Sequence, residues 1–319
     1  MTRILLTTTS FQDTPGDHHH LLESQGYEIE RARGPLPEAA LLDLVGGFDG
    51  ILCGDDAFTR RVLEKCLPKL QVLSKYGVGL DKIDIEAASQ LGIPVTYCPG
   101  VNQTTVAEHV FGLILSLYRQ IPEQNSLVHK GEWKRLTGHE LLGKTLGILG
   151  LGRVGKEVAK RAKAFGMKMI AHDVIWDDVF AAEWGVEQKT SPEEVLSEAD
   201  IVTLHLTLNS DTEEFINRER LELLKPGALL INTARGALVG QKAIARAIES
   251  GHLGGYGADV VDPEPISPDN PLIGLPRVIL TPHIGSRTYE NVERQALMAV
   301  ENLVRVLKGE EPLASANVV

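Results

Sequence analysis

The chain has 319 residues, of which 43% are hydrophobic and 24% are charged, and its formal net charge is −11. This length is enough for two domains of ordinary size, and the balanced composition excludes a fibrous or disordered protein. The acidic balance argues against a general affinity for nucleic acid or anionic membranes, although a small anionic substrate remains compatible with a locally positive pocket.

The sequence contains no stretch long enough for a membrane span or a secretory signal. The most apolar segment, residues 110–118, is far shorter than the roughly 20 residues that a spanning helix needs, and residues 1–7 read as a first strand. The three cysteines match no metal-ligand spacing and favour reduced thiols: Cys53, Cys66 and Cys98. We therefore expect a soluble cytoplasmic protein without disulfides or a metal site.

Alternating β-like and helical runs fill the first hundred residues and predict a parallel sheet with helices on both faces. The predicted strands are 4–7, 27–31, 50–53, 70–75 and 93–97, and the predicted helices are 18–25, 38–45, 60–66 and 85–90. Three consecutive histidines, residues 18–20, point in different directions on a helix, so a solvated helix start is favoured over a metal site.

Residues 75–81, Lys-Tyr-Gly-Val-Gly-Leu-Asp, follow the fourth of these strands. Two glycines one residue apart let the backbone bend with its N–H groups outward, which forms a nest that can hold a carboxylate. An ordinary glycine turn explains the same pattern equally well.

The pattern breaks at Pro99 and Gly100, after which residues 104–130 read as one long helical stretch with an apolar face. We place the first crossing between domains here. Glu108 and His109 lie within this stretch, but adjacent helical residues face two ways, so structural hydrogen bonding is favoured over acid–base chemistry for both.

The segment around which the chain is organised is 145–156, Thr-Leu-Gly-Ile-Leu-Gly-Leu-Gly-Arg-Val-Gly-Lys. It reads as a buried strand, a glycine turn and a helix start, with Gly150, Gly152 and Gly155 in the G-x-G-x-x-G spacing of dinucleotide-binding turns. The helix N-terminus would offer N–H groups to phosphates. Glycine turns also occur in proteins that bind no nucleotide, so the next strand is needed to distinguish a dinucleotide-binding turn from an ordinary one. It ends at Asp173, whose carboxylate can bind ribose hydroxyls and would repel a 2′-phosphate, which favours NAD over NADP.

Alternation resumes after residue 144 and predicts six strands, the number of a full dinucleotide-binding sheet: 146–149, 168–172, 201–204, 228–231, 255–258 and 278–280. Polar residues follow several of these strands and are candidates for one crevice at the carboxyl edge: Asp173, His205, Thr207, Asn232, Thr233, Arg235, Asp259 and His283. Residues 288–307 then form an amphipathic helix that should return to the first domain.

Two of these candidates, together with a nearby glutamate, have chemistry suited to reducing a carbonyl. Arg235 carries a planar fork that binds a carboxylate through two hydrogen bonds. His283 follows a strand and a proline, and an imidazole is the usual proton donor near neutral pH. Glu264, between two prolines, could stabilise the protonated ring. Singly, each also has an ordinary interpretation as a surface arginine, a solvated glutamate or a capped histidine.

Four motifs in order resemble the signature of the D-isomer-specific 2-hydroxyacid dehydrogenases, and in particular their phosphoglycerate dehydrogenase-like members. They are 150–155 with Asp173, 232–236 (Asn-Thr-Ala-Arg-Gly), 257–265 (Gly-Ala-Asp-Val-Val-Asp-Pro-Glu-Pro) and 281–286 (Thr-Pro-His-Ile-Gly-Ser). The resemblance implies an α/β protein with two doubly wound parallel-sheet domains. A Rossmann-type NAD-binding domain would span residues 102–286, and a flavodoxin-like substrate-binding domain would combine 1–101 with 287–319. It also implies a homodimer paired through the segment after Asn102.

The resemblance further implies a role for each matching residue. The catalytic residues would be Arg235, which orients the substrate, His283, which exchanges the proton, and Glu264, which holds His283 in its charged form. The residues that would contact NAD are Gly150, Gly152, Arg153, Val154, Gly155, Asp173, Thr207, Thr233, Ala234, Asp259 and Gly285. Within this set Asp173 would meet the adenosine ribose and Asp259 the nicotinamide amide. The residues that would contact the substrate are Lys75, Val78, Gly79 and Arg235.

One departure from the family concerns the substrate, expected to be a small anionic 2-hydroxy or 2-oxo acid such as 3-phosphoglycerate or a related hydroxy acid. Residues 50–56, Gly-Ile-Leu-Cys-Gly-Asp-Asp, lack the arginine that phosphoglycerate dehydrogenases present there for the phosphate. Asp55 and Asp56 would oppose an anion, and Lys75 could partly compensate.

A second class of function stays open, namely an NAD(H)-sensing interaction protein of the transcriptional co-repressor type, which keeps the fold without physiological turnover. The intact Arg235, Glu264 and His283 argue against it. A formate dehydrogenase is disfavoured because that relative has an amide where Glu264 supplies a carboxylate.

Overall fold

The computed structural model describes residues 1–319, which form two compact units. Unit 1 comprises Met1–Asn102 with Arg287–Val319, and unit 2 comprises Gln103–Ser286. Each unit contains one sheet in which every strand pair is parallel, with five strands in unit 1 and seven in unit 2. The expected α/β class with two parallel-sheet domains is confirmed.

Unit 1 alternates short strands and helices through its first hundred residues. Its elements are β1 (Arg3–Leu6), α1 (Thr9–Asp13), α2 (Asp17–Glu23), β2 (Glu28–Arg31), α3 (Glu38–Leu44), β3 (Gly50–Cys53), α4 (Arg60–Cys66), β4 (Val72–Lys75), α5 (Ile85–Gln90) and β5 (Val95–Thr96). The strand order β2-β1-β3-β4-β5 is the flavodoxin-like order. In this order the loops that follow β1 and β3 flank the point where the strand order reverses.

Unit 2 begins with two helices and continues as a longer βα alternation. Its elements are α6 (Gln103–Tyr118), α7 (Ile121–His129), β6 (Thr145–Leu149), α8 (Arg153–Ala164), β7 (Lys168–His172), α9 (Asp178–Trp184), β8 (Val186–Gln188), α10 (Pro192–Glu198), β9 (Ile201–Leu204), α11 (Arg218–Glu222), β10 (Ala228–Asn232), α12 (Gln241–Glu249), β11 (Leu253–Ala258) and β12 (Val278–Leu280). The order β12-β11-β10-β9-β6-β7-β8 is the Rossmann order extended by one strand.

The last helix, α13 (Tyr289–Leu307), belongs to unit 1 and covers one face of its sheet. Along β1, Ile4 and Leu6 face the core that α13 closes, whereas Leu5 faces the core on the opposite side. This alternation follows from the two-residue period of a strand. Because both faces are covered, the central strand β3 is apolar and buried throughout, as expected of a parallel sheet, whereas the edge strand β2 is mostly charged and exposed.

Three predictions about local structure are wrong. The stretch 104–130 is not one helix, because Gln120 adopts a left-handed conformation (φ 51°) and separates α6 from α7. Unit 2 has seven strands rather than six, and the additional strand, β8, has three residues of which one is buried, so it carries no alternation signal. His18 is not solvated: it is fully buried and its Nε2 lies 3.0 Å from the carbonyl oxygen of Phe11.

Burial lowers the pKa of His18, so its neutral imidazole is part of the interior of unit 1.

The three cysteines are buried free thiols. Burial raises the pKa of Cys66 to about 12 and that of Cys98 to about 11, which makes these thiols unreactive. None of the helices combines the length and the apolar character that crossing a membrane requires.

Candidate active site

The candidate site residues of unit 2 follow strands that end at one edge of its sheet. Because all seven strands are parallel, their carboxyl ends share that edge, which is where open α/β sheets bind ligands. Gly150 follows β6, Asp173 follows β7, Arg235 follows β10, Asp259 follows β11 and His283 follows β12.

The glycine turn after β6 is shaped by close backbone contacts. Gly150 has φ 95°, and a Cβ there would lie 2.6 Å from the carbonyl oxygen of His205. At Gly155, in the first turn of α8, a Cβ would lie 2.1 Å from the carbonyl oxygen of Gly150. At Gly152, which precedes α8, a Cβ would meet nothing within 4 Å. Two of the glycines are therefore required by packing, and the middle one faces open space at the start of α8.

Asp173 lies directly against this turn. Its Oδ2 accepts a hydrogen bond from the backbone N–H of Leu151 at 2.5 Å, and its Oδ1 accepts one from Ile175 at 2.9 Å. The carboxylate is thus fixed beside the glycine turn, at the end of the strand that follows it in the chain. Arg153 is exposed at the first residue of α8, whereas Val154 is half-buried against the core.

His283 and Glu264 form a hydrogen-bonded pair. The Nδ1 of His283 lies 2.8 Å from the Oε2 of Glu264, and the two side chains are 34% and 29% exposed. The second carboxylate oxygen of Glu264 accepts a hydrogen bond from the backbone N–H of Val261 at 3.2 Å, which fixes the carboxylate. An imidazole held in this way has a set ring orientation.

Asp259 anchors the segment that carries His283. Its Oδ2 accepts the N–H of Gly285 at 2.6 Å, and its Oδ1 accepts the N–H of Ile284 at 2.9 Å and the hydroxyl of Thr281 at 2.6 Å. Burial opposes ionisation, but hydrogen bonds from His109, Thr281 and the two N–H groups outweigh it and hold the pKa of Asp259 below its usual value. This ionised, buried carboxylate keeps the turn around His283 in place.

Helix α6 contributes a further contact to the same segment through His109. Its Nε2 lies 2.9 Å from the Oγ1 of Thr281 and 3.4 Å from the Oδ1 of Asp259. The neighbouring Glu108 pairs with Arg161 at 3.1 Å. Both residues make hydrogen bonds of the structural kind expected from the sequence. The link from His109 to the His283 segment spans a long stretch of chain, so no local sequence signal reveals it.

The segment that carries Arg235 packs against the segment that carries Glu264. A Cβ at Gly236 would lie 2.1 Å from the carbonyl carbon of Val261, so only glycine permits this approach. The buried Asn232 holds the turn from the other side, since its Oδ1 accepts the N–H of Ala234 at 3.1 Å and its Nδ2 donates to the carbonyl oxygen of Arg235 at 2.8 Å. The half-buried guanidinium of Arg235 donates to the carbonyl oxygen of Ala234 at 2.7 Å.

Comparison with known proteins gives one family. The model of the D-isomer specific 2-hydroxyacid dehydrogenase NAD binding domain matches residues 111–285, more than half of the chain. A glyoxylate reductase from Korarchaeum cryptofilum is 41% identical over 77% of this chain and 75% of its own length. The chain belongs to the D-isomer specific 2-hydroxyacid dehydrogenases.

Two further comparisons cover nearly the whole chain. A D-3-phosphoglycerate dehydrogenase from Methanocaldococcus jannaschii is 40% identical over 97% of this chain, which spans 58% of that protein. The crystal structure of the TT0316 protein from Thermus thermophilus superimposes with a TM-score of 0.90 at 41% identity, covering 99% of this chain and 100% of the other. These relatives do not support the alternative of an NAD(H)-sensing interaction protein.

This dehydrogenase uses NAD as its cofactor, and the edge of the unit 2 sheet fits a dinucleotide. The glycine turn opens at the N-terminus of α8, where free N–H groups attract phosphate. The Oγ1 of Thr233, just after β10, is buried and has no hydrogen-bond partner, as expected of a hydroxyl that a cofactor would satisfy. Thr207 is exposed, and its carbonyl oxygen accepts the hydroxyl of Thr212 at 2.7 Å.

His205, another polar residue after a strand, is not suited to proton transfer in this dehydrogenase. Its Nε2 lies 3.0 Å from the Oγ1 of Thr203, and its backbone supports the turn at Gly150. Burial lowers the pKa of His205 to about 3, so the ring stays neutral at physiological pH.

In unit 1 the structure corrects the expectation that Asp55 and Asp56 both oppose an anion. Asp56 is fully buried and its carboxylate accepts hydrogen bonds from the hydroxyl of Thr7 and the backbone of Leu36, so it points into the interior. Asp55 instead pairs with Lys75, whose Nζ lies 2.6 Å from its Oδ1. Val78 and Gly79 are half-exposed in the turn that follows β4.

Proposed function

We propose that this dehydrogenase interconverts a small D-2-hydroxy acid and the corresponding 2-oxo acid, with Arg235, Glu264 and His283 as its catalytic residues. The observation that carries this assignment is the 2.8 Å pair of His283, which follows β12, and Glu264, which lies between β11 and β12, at the sheet edge that also carries the glycine turn. A fixed imidazole–carboxylate pair is the arrangement that proton exchange with a substrate oxygen needs.

Bound NAD supplies the hydride acceptor for oxidation, and its reduced form supplies the hydride for reduction. In reduction, His283 donates the proton from Nε2 to the oxygen formed at the substrate carbonyl. In oxidation, the same nitrogen accepts the proton of the hydroxyl. Glu264 holds Nδ1 at 2.8 Å, so the ring keeps its orientation while its charge changes. Arg235 binds the substrate carboxylate with its planar fork and orients the carbonyl.

The same proposal includes the residues that contact NAD, which lie at the carboxyl edge of the unit 2 sheet. Backbone groups at Gly150, Gly152 and Gly155, with Arg153 and Val154, bind the pyrophosphate, and Asp173 binds the adenosine ribose. The rest of the NAD molecule is bound by Thr207, Thr233, Ala234, Asp259 and Gly285. Unit 2 is thus the NAD-binding domain. Unit 1 is the substrate-binding domain and contributes Val78 and Gly79. The expected substrate contact of Lys75 is not kept, because its side chain is buried and paired with Asp55.

The substrate is a small anionic acid, and two classes of relatives frame the choice. Matching proteins are named glyoxylate reductases or D-3-phosphoglycerate dehydrogenases. A panel of glyoxylate, hydroxypyruvate, pyruvate, bulkier 2-oxo acids and 3-phosphohydroxypyruvate, each with NADH, tests the proposal. We expect NADH oxidation with at least one small 2-oxo acid and, in reverse, oxidation of the D but not the L hydroxy acid. Cofactor binding without turnover of any member would contradict the proposal.

We also propose a homodimer in the cytoplasm, paired through the segment after Asn102. Large apolar side chains from α7 to the start of β6 are exposed: Ile121, Val128, Trp133 and Leu142, at 51%, 54%, 79% and 72%. The concentration of exposed large apolar side chains in this one segment supports an interface there. Light scattering at micromolar concentration measures the state, and a monomer would contradict this proposal.

A further inference from the structure

The loop after β3 in unit 1 lies where the flavodoxin-like sheet offers a ligand crevice. In the order β2-β1-β3-β4-β5, the loops after β1 and β3 leave the sheet on either side of the reversal point, and ligands bind there. Asp55 and Asp56 are in the loop after β3, and Lys75 is the last residue of β4. Cys53 and Lys75 are register partners, so the loop starts beside the lysine.

The carboxylate of Asp56 fixes the shape of this loop. It accepts hydrogen bonds from the hydroxyl of Thr7 at 2.5 Å, from the N–H of Gly54 at 3.0 Å and from the N–H of Leu36 at 2.7 Å. These bonds join the loop after β3 to the loops after β1 and β2. Asp56 is fully buried, and it fixes the position of the loop that carries its neighbour Asp55.

Asp55 and Lys75 form an ion pair with unequal exposure. The Nζ of Lys75 donates to the Oδ1 of Asp55 and to the carbonyl oxygen of Gly54, both at 2.6 Å. The side chain of Lys75 is 2% exposed, whereas that of Asp55 is 44% exposed. The carboxylate therefore lies on the solvent side of the ammonium group, and an approaching anion meets negative charge first.

This order of charges has a direct consequence for substrate choice. A close ion pair exerts little net attraction at a distance, while the outer carboxylate repels a second anionic group that comes near it. A 2-oxo acid whose only charge is its 2-carboxylate avoids this repulsion, because in the proposed function Arg235 binds that carboxylate. A substrate with an additional phosphate or carboxylate does not.

We propose that Asp55 is a specificity-determining residue that restricts this dehydrogenase to 2-oxo acids with no second anionic group. The inference rests on the proposed function, because it takes unit 1 as the substrate-binding domain. It deepens that function by selecting uncharged substituents, such as hydrogen, methyl or hydroxymethyl, over phosphorylated and dicarboxylic acids.

The test compares two substrate pairs that differ by charge, hydroxypyruvate with 3-phosphohydroxypyruvate and 2-oxobutyrate with oxaloacetate. Two neutral variants, Asp55→Asn and Asp55→Ser, are measured beside the charge-conserving Asp55→Glu. Asp43→Asn, an exposed aspartate on α3, is the matched control for net charge. We expect both neutral variants to raise kcat/KM for the charged member of each pair, relative to its partner, by about tenfold or more. Asp55→Glu and Asp43→Asn should keep the ratio of the unaltered enzyme.

The outcomes separate this inference from the proposed function. If the unaltered enzyme reduces small 2-oxo acids but both neutral variants keep its ratio, Asp55 does not set specificity and only this inference fails. An equal rise for both members of a pair overturns it as well, because Asp55 then affects binding of the common carboxylate. If the unaltered enzyme reduces no 2-oxo acid, the proposed function fails and this inference falls with it.

Discussion

The glycine turn after β6 and the His283 segment after β12 lie at the same edge of one sheet, yet different kinds of contact hold them in place. The turn is a backbone structure, in which Gly155 approaches Gly150 so closely that a single Cβ would collide. The His283 segment depends on side chains. Asp259, Thr281 and Glu264 hold it through hydrogen bonds of 2.6–2.9 Å.

This difference separates the tasks of the two regions. A cofactor's phosphates are bound by N–H groups that every sequence possesses, so the turn needs only glycines to expose them. Proton transfer needs a specific imidazole in a specific orientation, and side chains from separate strands must supply it. Substitutions in the glycine turn should therefore act by steric clash, whereas substitutions in the His283 segment should act by removing single polar atoms.

The largest effect is expected at the side-chain region. His283→Asn removes the proposed proton donor while keeping similar size, and kcat for 2-oxo acid reduction should fall by about 10²–10⁴-fold. Stopped-flow or steady-state oxidation of NADH measures the loss, and NADH fluorescence should show that cofactor binding persists. His20→Asn, an exposed histidine in unit 1, serves as the control. Turnover of His283→Asn within a few-fold of the unaltered enzyme would remove His283 from the mechanism.

A pair of alanine variants tests the backbone region. Gly155→Ala places a Cβ 2.1 Å from the Gly150 carbonyl oxygen, and it should lower the free energy of unfolding by about 1–3 kcal/mol. Gly152→Ala meets no atom within 4 Å, so its stability should be unchanged. Its methyl group nevertheless intrudes where phosphate approaches, and NADH affinity should fall about tenfold, or about 1.4 kcal/mol. Chemical denaturation and NADH titration separate the two; equal stability losses would refute the steric distinction.

The same distinction explains how much of the molecule could be predicted from its sequence. Gly150, Gly152, Gly155 and the strand ending at Asp173 are close in the chain, and their spacing encodes the turn directly. The parallel sheets follow from the regular βα alternation. Such features depend on local backbone geometry, which residue type and period determine.

What could not be predicted depends on contacts between distant segments. The sequence gives no indication that Asp56 turns inward while the adjacent Asp55 pairs with Lys75, because the choice depends on Thr7 and Leu36. The contact of His109 with the His283 segment has the same cause. The three-residue strand β8 is too short to show a period, so the sequence pattern does not reveal it.

Asp259→Asn should weaken the side-chain region in a pH-dependent way. Loss of the charged acceptor for Thr281, Ile284 and Gly285 should reduce the free energy of unfolding by about 1–3 kcal/mol at neutral pH. The native pKa of Asp259 is lowered, so its ionised form stabilises the fold above the unfolded pKa of about 4, and this contribution disappears as pH falls through the native value. The deficit relative to the unaltered protein should therefore narrow in acid.

Urea unfolding at neutral pH and near pH 3 measures that deficit. Asp211→Asn, an exposed aspartate in unit 2, changes charge equally and should stay within about 0.5 kcal/mol of the unaltered protein. A deficit of Asp259→Asn that is constant with pH would show that the buried carboxylate is not ionised when it holds the His283 turn.

An effect no larger than that of Gly152→Ala is expected at Asp173, a side chain fixed by the backbone of the glycine turn. Its carboxylate accepts N–H groups from Leu151 and Ile175, so its position is set without the cofactor. Asp173→Ala should reduce the preference for NADH over NADPH about tenfold, because a ribose acceptor is lost and repulsion of the 2′-phosphate ends. Comparison of kcat/KM for the two cofactors measures the change, and Asp178→Ala, an exposed acid at the start of α9, controls for charge. An unchanged ratio of kcat/KM for NADH and NADPH would mean that Asp173 only holds the glycine turn and does not select the cofactor.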